Sequence, residues 1–417
     1  YLNFISEPQT EAFRTPVADV YEAIIDDLEH AKLALPNIGS EPGRADAAAA
    51  YHLLARVYLT RATHPTAGQP GDYQEAFNNA MHLINNAGAY ELALLQDFGD
   101  IHTPRNENNS EVIFNVQRND DLIFNDNDGN SVNKENRSSF FFRPNYGAIV
   151  TGLMRDINYG RPWHRLRPTN HLLDVVFANR TDDTRYDKTF QTVWLVNDEA
   201  NAATPGFVNG DTAIWLPGQE QHRNARALRI YRPSQYWGND QRSISIYPSM
   251  RKYDDIDRPA VNDASVRPFI VHKFSETYLI AAEAAMFLNR PDDARDLINV
   301  VRARAAFHAG RTTVENTLAA NRLTAGTPTM ADKDEGMHFI LDERSRELAG
   351  EYMRWFDLVR TRDHSTQANM LLYRLRNLSP AIPARNAVRD HHVLRPIPQS
   401  QIDLTTNVFP QNPGYGL

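Results

Sequence analysis

Leu341 to Arg360 reads LDERSRELAGEYMRWFDLVR and gathers Glu343, Arg344, Arg346, Glu347, Glu351 and Arg354 beside Trp355 and Phe356. Taken as one helical stretch, it places Leu341, Leu348, Trp355, Phe356 and Val359 on an apolar stripe. The acids and arginines fall three and four residues apart, the spacing at which helix side chains meet as ion pairs. Two carboxylates on one helix, Glu343 and Glu347, could instead be the acid and base of a glycoside hydrolase. The interleaved arginines argue against that, because neighbouring cations depress a carboxyl pKa whereas a general acid needs a raised one. Glu343, Arg344, Glu347, Glu351 and Arg354 are therefore expected to form a structural brace, with no catalytic residue among them.

Working outward, Val17 to Leu35 repeats Val20, Ile24, Leu28, Ala31 and Leu35 at helical spacing and stops at Pro36. Gly43 to Ala62 carries Ala47, Ala50, Leu54, Val57 and Leu59, with alanines small enough for close helix contact. A third helix starts at Asp72, the expected cap, and repeats Tyr73, Ala76, Phe77, Ala80, Leu83 and Ile84. A later pair, SETYLIAAEAAMFLNR and PDDARDLINVVRARAAF, joins at Asn289 to Asp292 with Pro291 in the first turn. These hairpins read as tetratricopeptide-like units. The fold expected is mainly α, a helical scaffold with a loop-rich mixed α/β insertion. Its divisions are scaffold over residues 1–111, insertion over 112–270 and a helical return over 271–417.

In the insertion the pattern shifts to short strands such as EVIFNVQ and TVWLVN between Asn, Asp, Gly and Pro clusters. It holds Trp163, Trp194, Trp215 and Trp237, four of the five tryptophans. RIYRPSQYWGNDQRS, Arg229 to Ser243, interleaves Tyr231, Tyr236 and Trp237 with Asn239, Asp240 and arginines. Flat rings stack on the apolar faces of sugars while amides, carboxylates and guanidiniums bond hydroxyls. Candidate ligand contacts are therefore Trp163, Trp194, Trp215, Tyr231, Tyr236, Trp237, Asn239 and Asp240. The same mix would serve a peptide, and single rings of this kind also simply fill cores.

The 417 residues carry a net charge of −8, and their arginines are scattered among acids, which excludes a nucleic-acid sleeve. No apolar run approaches the roughly 20 residues that cross a bilayer. Without cysteine there are no disulfides, zinc-thiolate sites or thiol nucleophiles. Phosphate loops, nucleophile elbows, dinucleotide fingerprints and zincin helices are missing from the sequence too. His391 and His392 are adjacent and cannot both face one metal on regular structure. FNDNDGNSVNKE, Phe124 to Glu135, places Asp126, Asp128 and Glu135 at three positions of a calcium loop, but Phe124 fills its first position, and a polar turn is expected. No cofactor is expected, calcium remaining the one weak candidate.

The opening stretch closely resembles the ERxxEFxGEGxRWxDLxR signature of the SusD/RagB family. LRPIPQSQIDLTTNVFPQNPGY, Leu394 to Tyr415, is similar to that family's C-terminal IPxxEIxxNPxLxQNPGY. KFSETYLIAAEAAMFLNRPDDARDLINVVRARA resembles its RYAEVLLxxAEA helix pair, and RPTNHLLDVVFANRTDDTRYDKTF its PT-helix-turn segment. Tyr352 stands where the signature has Gly, and Phe409 and Pro410 replace a polar residue before QNPGY. The family's signal peptide, lipidated Cys and first helix pair have no counterpart here, so an absent or cleaved N-terminal segment is expected. The resemblance implies a SusD-like fold and a non-catalytic, lipid-anchored, cell-surface lipoprotein of the outer membrane in Bacteroidota. Such a protein captures oligosaccharide or polysaccharide, or in some members peptide, for a SusC-like TonB-dependent transporter partner.

Overall fold

The computed structural model describes residues 10–121, 135–219, 226–236, 246–325, 327, 330–378 and 384–416. The chain opens with three helices, α1 (Val17–Ala34), α2 (Ala47–Ala62) and α3 (Asp72–Asn85). Asp46 starts α2 by accepting the Ala49 amide at 2.9 Å, satisfying one of the donors a helix leaves unpaired at its N-terminus. At α3 the cap is Gly71, held at a φ of 99°, and Asp72 is not the cap. The Asp72 carboxylate is taken up by Arg61, at 2.6 Å, and by the Gln69 amide.

Strand β1 (Val112–Val116) leads into an irregular middle segment. There the short helices α4 (Ser138–Phe141) and α5 (Arg185–Thr189) alternate with β2 (Phe190–Gln191), β3 (Val193–Leu195), β4 (Thr212–Trp215), β5 (Arg229–Ile230) and β6 (Ser249–Met250). β3 and β4 pair antiparallel, β4 and β5 parallel, and β2 pairs with β6. Strand β7 (Phe269–Lys273) returns beside β1 in antiparallel register, Val112 opposite Lys273 and Val116 opposite Phe269. The two ends of the segment thus leave and rejoin the scaffold at one place.

After β7 the chain is helical again: α6 (Phe274–Phe287), α7 (Pro291–Ala305), α8 (Thr313–Thr324), α9 (Lys333–Leu348), α10 (Arg354–Arg360), α11 (Met370–Asn377), α12 (Ala384–Ala387) and α13 (Gln399–Asp403). α6 is the central rod, with buried residues on nearly every side. Its Ala281, Ala282, Ala284 and Ala285 have no exposed surface and pack in one core with Leu54, Ala76, Ala80, Ile298 and Leu341. Alanine at these crossings lets α2, α3, α7 and α9 approach the rod closely. A second core, centred on Trp194, Tyr146, Tyr236 and Tyr247, fills the middle segment. Helix-rich scaffold and small sheets together match the mainly α class expected from sequence.

Leu341 to Arg360 is not a single helix. α9 ends at Leu348, and the chain turns through Gly350 at φ 76° and Tyr352 at φ 64° before α10 begins at Arg354. Gly enters the left-handed region without a Cβ penalty, whereas Tyr352 adopts it under strain. Its ring meets Tyr253 and Phe269, each about 6.1 Å away between centroids. The break also removes Phe356 from the predicted stripe, leaving it 55% exposed. The tail folds back on the first described residues, where Asn407 exchanges two 2.9 Å hydrogen bonds with the Ala12 backbone.

Candidate functional site

The acids of α9 turn inward, toward cations supplied from elsewhere. Glu343 accepts Arg185 of α5 at 2.7 Å and Arg346, one turn along, at 2.6 Å. Glu347 accepts Arg304 of α7 at 2.5 Å and Arg185 at 3.0 Å. Glu351, in the break, takes Lys252 at 2.5 Å and Lys273 of β7 at 2.8 Å. Arg344 spans Glu276 of α6 and Asp357 of α10, at 2.6 and 2.7 Å. Of these pairs, Glu343–Arg346 alone runs along a single helix. Arg354 donates to the Leu341 carbonyl at 2.8 Å.

Glu343 and Glu347 have no exposed surface, so neither can meet a substrate. Burial works against ionising Glu343, yet the guanidiniums of Arg346, Arg185 and Arg302 outweigh it and hold the carboxyl at about 2. Burial likewise opposes the charge of Glu347, and Arg304, Lys273 and Arg185 bring it to about 2. Both are anions at neutral pH, the opposite of a general acid. Burial lowers Arg354 to about 10, with Arg374 adding repulsion.

The candidate ligand residues separate by depth. Trp194 is wholly enclosed and Tyr236 is 1% exposed, both inside the second core, so neither ring offers a face to a ligand. β3 explains the first: Val193 and Leu195 face out, and the alternation of a strand turns Trp194 in. Tyr231 is half-buried against the same core. Trp237, Asn239, Asp240, Asp126 and Asp128 lie outside the described residues. Glu135, the remaining calcium candidate, is ion-paired with Arg137.

Trp163 and Trp215 are half-buried and border separate clefts. The Trp163 cleft, of about 360 Å³, is walled by Arg118, Asn136, Arg137, Ser138, Phe141 and Phe269. Arg137 and Arg161 sit 4.9 and 5.4 Å from the Trp163 ring centre. The Trp215 cleft, about 560 Å³, presents Asp174, Arg180, Asp187, Thr192 and Gln219 around the ring. These polar neighbours were not among the sequence candidates. In the Trp163 cleft they come from Arg118 and from Asn136 to Ser138, and in the Trp215 cleft from positions as far apart as Asp174 and Gln219, so no single local pattern marks them.

A third cavity, about 380 Å³, lies at the break between α9 and α10 and is lined by Phe142, Leu172, Phe190, Met250, Leu348 and Tyr352, with Arg344, Arg354 and Arg374 at its edge. Its largely apolar wall suits hydroxyl-rich ligands less well than the two tryptophan clefts.

The architecture is a helical scaffold locked by buried ion pairs to a loop-rich segment whose surface carries tryptophan clefts. The chain belongs to the SusD family, whose profile matches residues 104–415. Among relatives, SusD-like protein P2 of Formosa agariphila is 26% identical over 408 residues, covering 96% of this chain. The chain spans 66% of the length of that relative, about two thirds. Among solved structures, a SusD homolog from Bacteroides thetaiotaomicron superposes with a TM-score of 0.64 at 20% identity, covering 95% of this chain and 70% of that one. A laminarin-binding SusD-like protein does so with a TM-score of 0.57 at 22% identity, covering 99% and 73%. No helix among the described residues is long and apolar enough to cross a membrane.

Proposed function

We propose that the protein is a non-catalytic, cell-surface binder of oligosaccharide or polysaccharide that delivers its ligand to a SusC-like TonB-dependent transporter, held at the outer membrane by an N-terminal lipid anchor. Membership of the SusD family supports the role, and one structural neighbour is described as laminarin-binding. The observation that carries it to this chain is the pair of half-buried tryptophans, Trp163 and Trp215, each set in a cleft with arginines and amide or hydroxyl groups. A ring covers the apolar face of a sugar, and the polar rim bonds its hydroxyls. The buried α9 carboxylates, fixed as anions, act as the brace that positions the clefts.

Isothermal titration against soluble polysaccharides, laminarin included, tests the reading, with a peptide digest in parallel. Saturable binding to one glycan without release of reducing sugar supports it. Heat from the peptides alone moves the ligand class to peptide, and release of reducing sugar that is lost in the Glu347→Gln variant would return the hydrolase.

A further inference from the structure

Away from the tryptophan clefts, His52 on α2, His272 on β7 and Glu276 in the first turn of α6 converge inside the scaffold. Each offers one ligand atom, and the three atoms lie within 4.8 Å of one another. His52 has no exposed surface and Glu276 is 1% exposed. His52 Nε2 stands 3.4 Å from Glu276 Oε2 without the geometry of a hydrogen bond. It has no hydrogen-bond partner among the described residues, and neither has Nδ1 of His272. The two rings tilt against each other with centroids 4.7 Å apart. An imidazole short of a partner beside a carboxylate occurs also at His102 and Glu351, but among the described residues only here do three ligand atoms converge.

We propose that His52, His272 and Glu276 bind one divalent transition-metal ion of the zinc class. Two imidazole nitrogens and a carboxylate oxygen suit zinc, cobalt, nickel or copper, whereas calcium and magnesium want oxygen throughout. Bonds of about 2.0–2.2 Å place tetrahedral ligand atoms roughly 3.3–3.6 Å apart. The His52–Glu276 separation of 3.4 Å already has that value, and the His272 ligand atom, on a half-buried ring, lies within 4.8 Å of both. Three protein ligands leave a fourth position for water.

The surroundings hold the donors in place. His52 Nδ1 lies 2.9 Å from Thr277 Oγ1, a contact that, with Nδ1 protonated, frees Nε2 for the ion. Glu276 Oε1 accepts Arg344 at 2.6 Å, leaving Oε2 to the cluster. Arg56 and Arg344 are the nearby cations that oppose a dication. Asp357 offsets part of the Arg344 charge, but the remaining repulsion leaves the site expected to bind more weakly than a zinc-thiolate centre.

The test uses the chain stripped with chelator, in a His391→Ala/His392→Ala background that removes the adjacent histidine pair of the tail. Zinc is titrated calorimetrically and cobalt by its visible absorption. The expected result is one equivalent of either ion, with the absorption of low-coordinate cobalt. His272→Gln weakens binding by more than about tenfold. Thr277→Val, which keeps all three donors and the side-chain volume, weakens it about tenfold through the lost Nδ1 contact. Should His272→Gln fail to fold, Thr277→Val decides. Absence of a stoichiometric event in the parent, or unchanged affinity in the folded variants, overturns the site. Neither outcome depends on glycan binding.

Discussion

Glu347→Gln isolates the electrostatic contribution of α9, because the amide keeps the volume of the carboxylate and removes its charge. In the native chain Glu347 neutralises Arg304 at 2.5 Å and Arg185 at 3.0 Å, with Lys273 at 3.9 Å. Removing one partner of a buried ion pair costs about 3–5 kcal/mol, most of it the penalty on the charge left behind. Here the stranded cations retain other anions. Arg304 keeps Glu111 at 2.7 Å, Arg185 keeps Asp183 at 2.6 Å and Glu343 at 2.7 Å, and Lys273 keeps Glu351 at 2.8 Å. The expected loss is therefore at the low end, about 3 kcal/mol. Urea unfolding followed by tryptophan fluorescence measures it, as a fall in midpoint at unchanged slope. A loss under about 1 kcal/mol, the range of an exposed pair, would refute the argument that burial makes this network matter.

The same substitution changes the acid limb. The Glu343 and Glu347 carboxyls titrate at about 2 in the folded chain against 4.5 ordinarily. A carboxyl depressed by folding binds its proton more readily in the unfolded chain. Its stabilising contribution is thus complete above about pH 4.5 and disappears as pH falls toward 2. In Glu347→Gln one of the two contributions is gone, and stability falls less steeply across that window.

Three further outcomes follow from the packing. Trp194→Ala opens a cavity in the second core and costs about 3–5 kcal/mol, read as a lower thermal midpoint. Trp163→Ala leaves the thermal midpoint within error and weakens glycan binding by about 0.5–2 kcal/mol, the range of a single ring contact, as measured by titration. Gly350→Ala forces a Cβ into a backbone with φ 76° and to within 2.6 Å of the Met250 side chain. It should cost about 1–3 kcal/mol in denaturant unfolding.

The helices were legible because their apolar positions recur at helical spacing, with stops at Pro36 and around Asn289, and α1, α2, α6 and α7 follow that reading closely, whereas α3 ends at Asn85, short of the helical stretch read there. The acids of α9 were legible as a group, but not their partners. Arg185 reaches Glu347 across 162 positions and Lys273 reaches Glu351 across 78, distances at which no local pattern operates. The break after Leu348 did carry a signal, Gly350, masked by the strong charge periodicity around it. Tyr352, at φ 64°, explains why the family signature has Gly at that position. Among the aromatics, the alternation Val193, Trp194, Leu195 was enough to turn Trp194 inward. Trp163 sits in irregular chain, where no period applies, and its half-exposure became visible only once α4 and β7 were placed beside it.

The sequence separation in the buried network also sets an order of events along the chain. Arg185, Lys252, Lys273 and Arg304 all precede Glu343, Glu347 and Glu351. A nascent or threading chain therefore carries Lys252 and Lys273, whose ion pairs are to Glu347 and Glu351, and Arg185 and Arg304 with only Asp183 and Glu111 for company, for dozens of residues before α9 arrives. Burying the two lysines early would leave charge unpaired in an apolar core, which disfavours consolidation of the joint between scaffold and middle segment until α9 has emerged. Completion of the fold is tied to the last quarter of the polypeptide, and a chain interrupted before Glu343 stays open to proteases and chaperones instead of settling into a stable fragment.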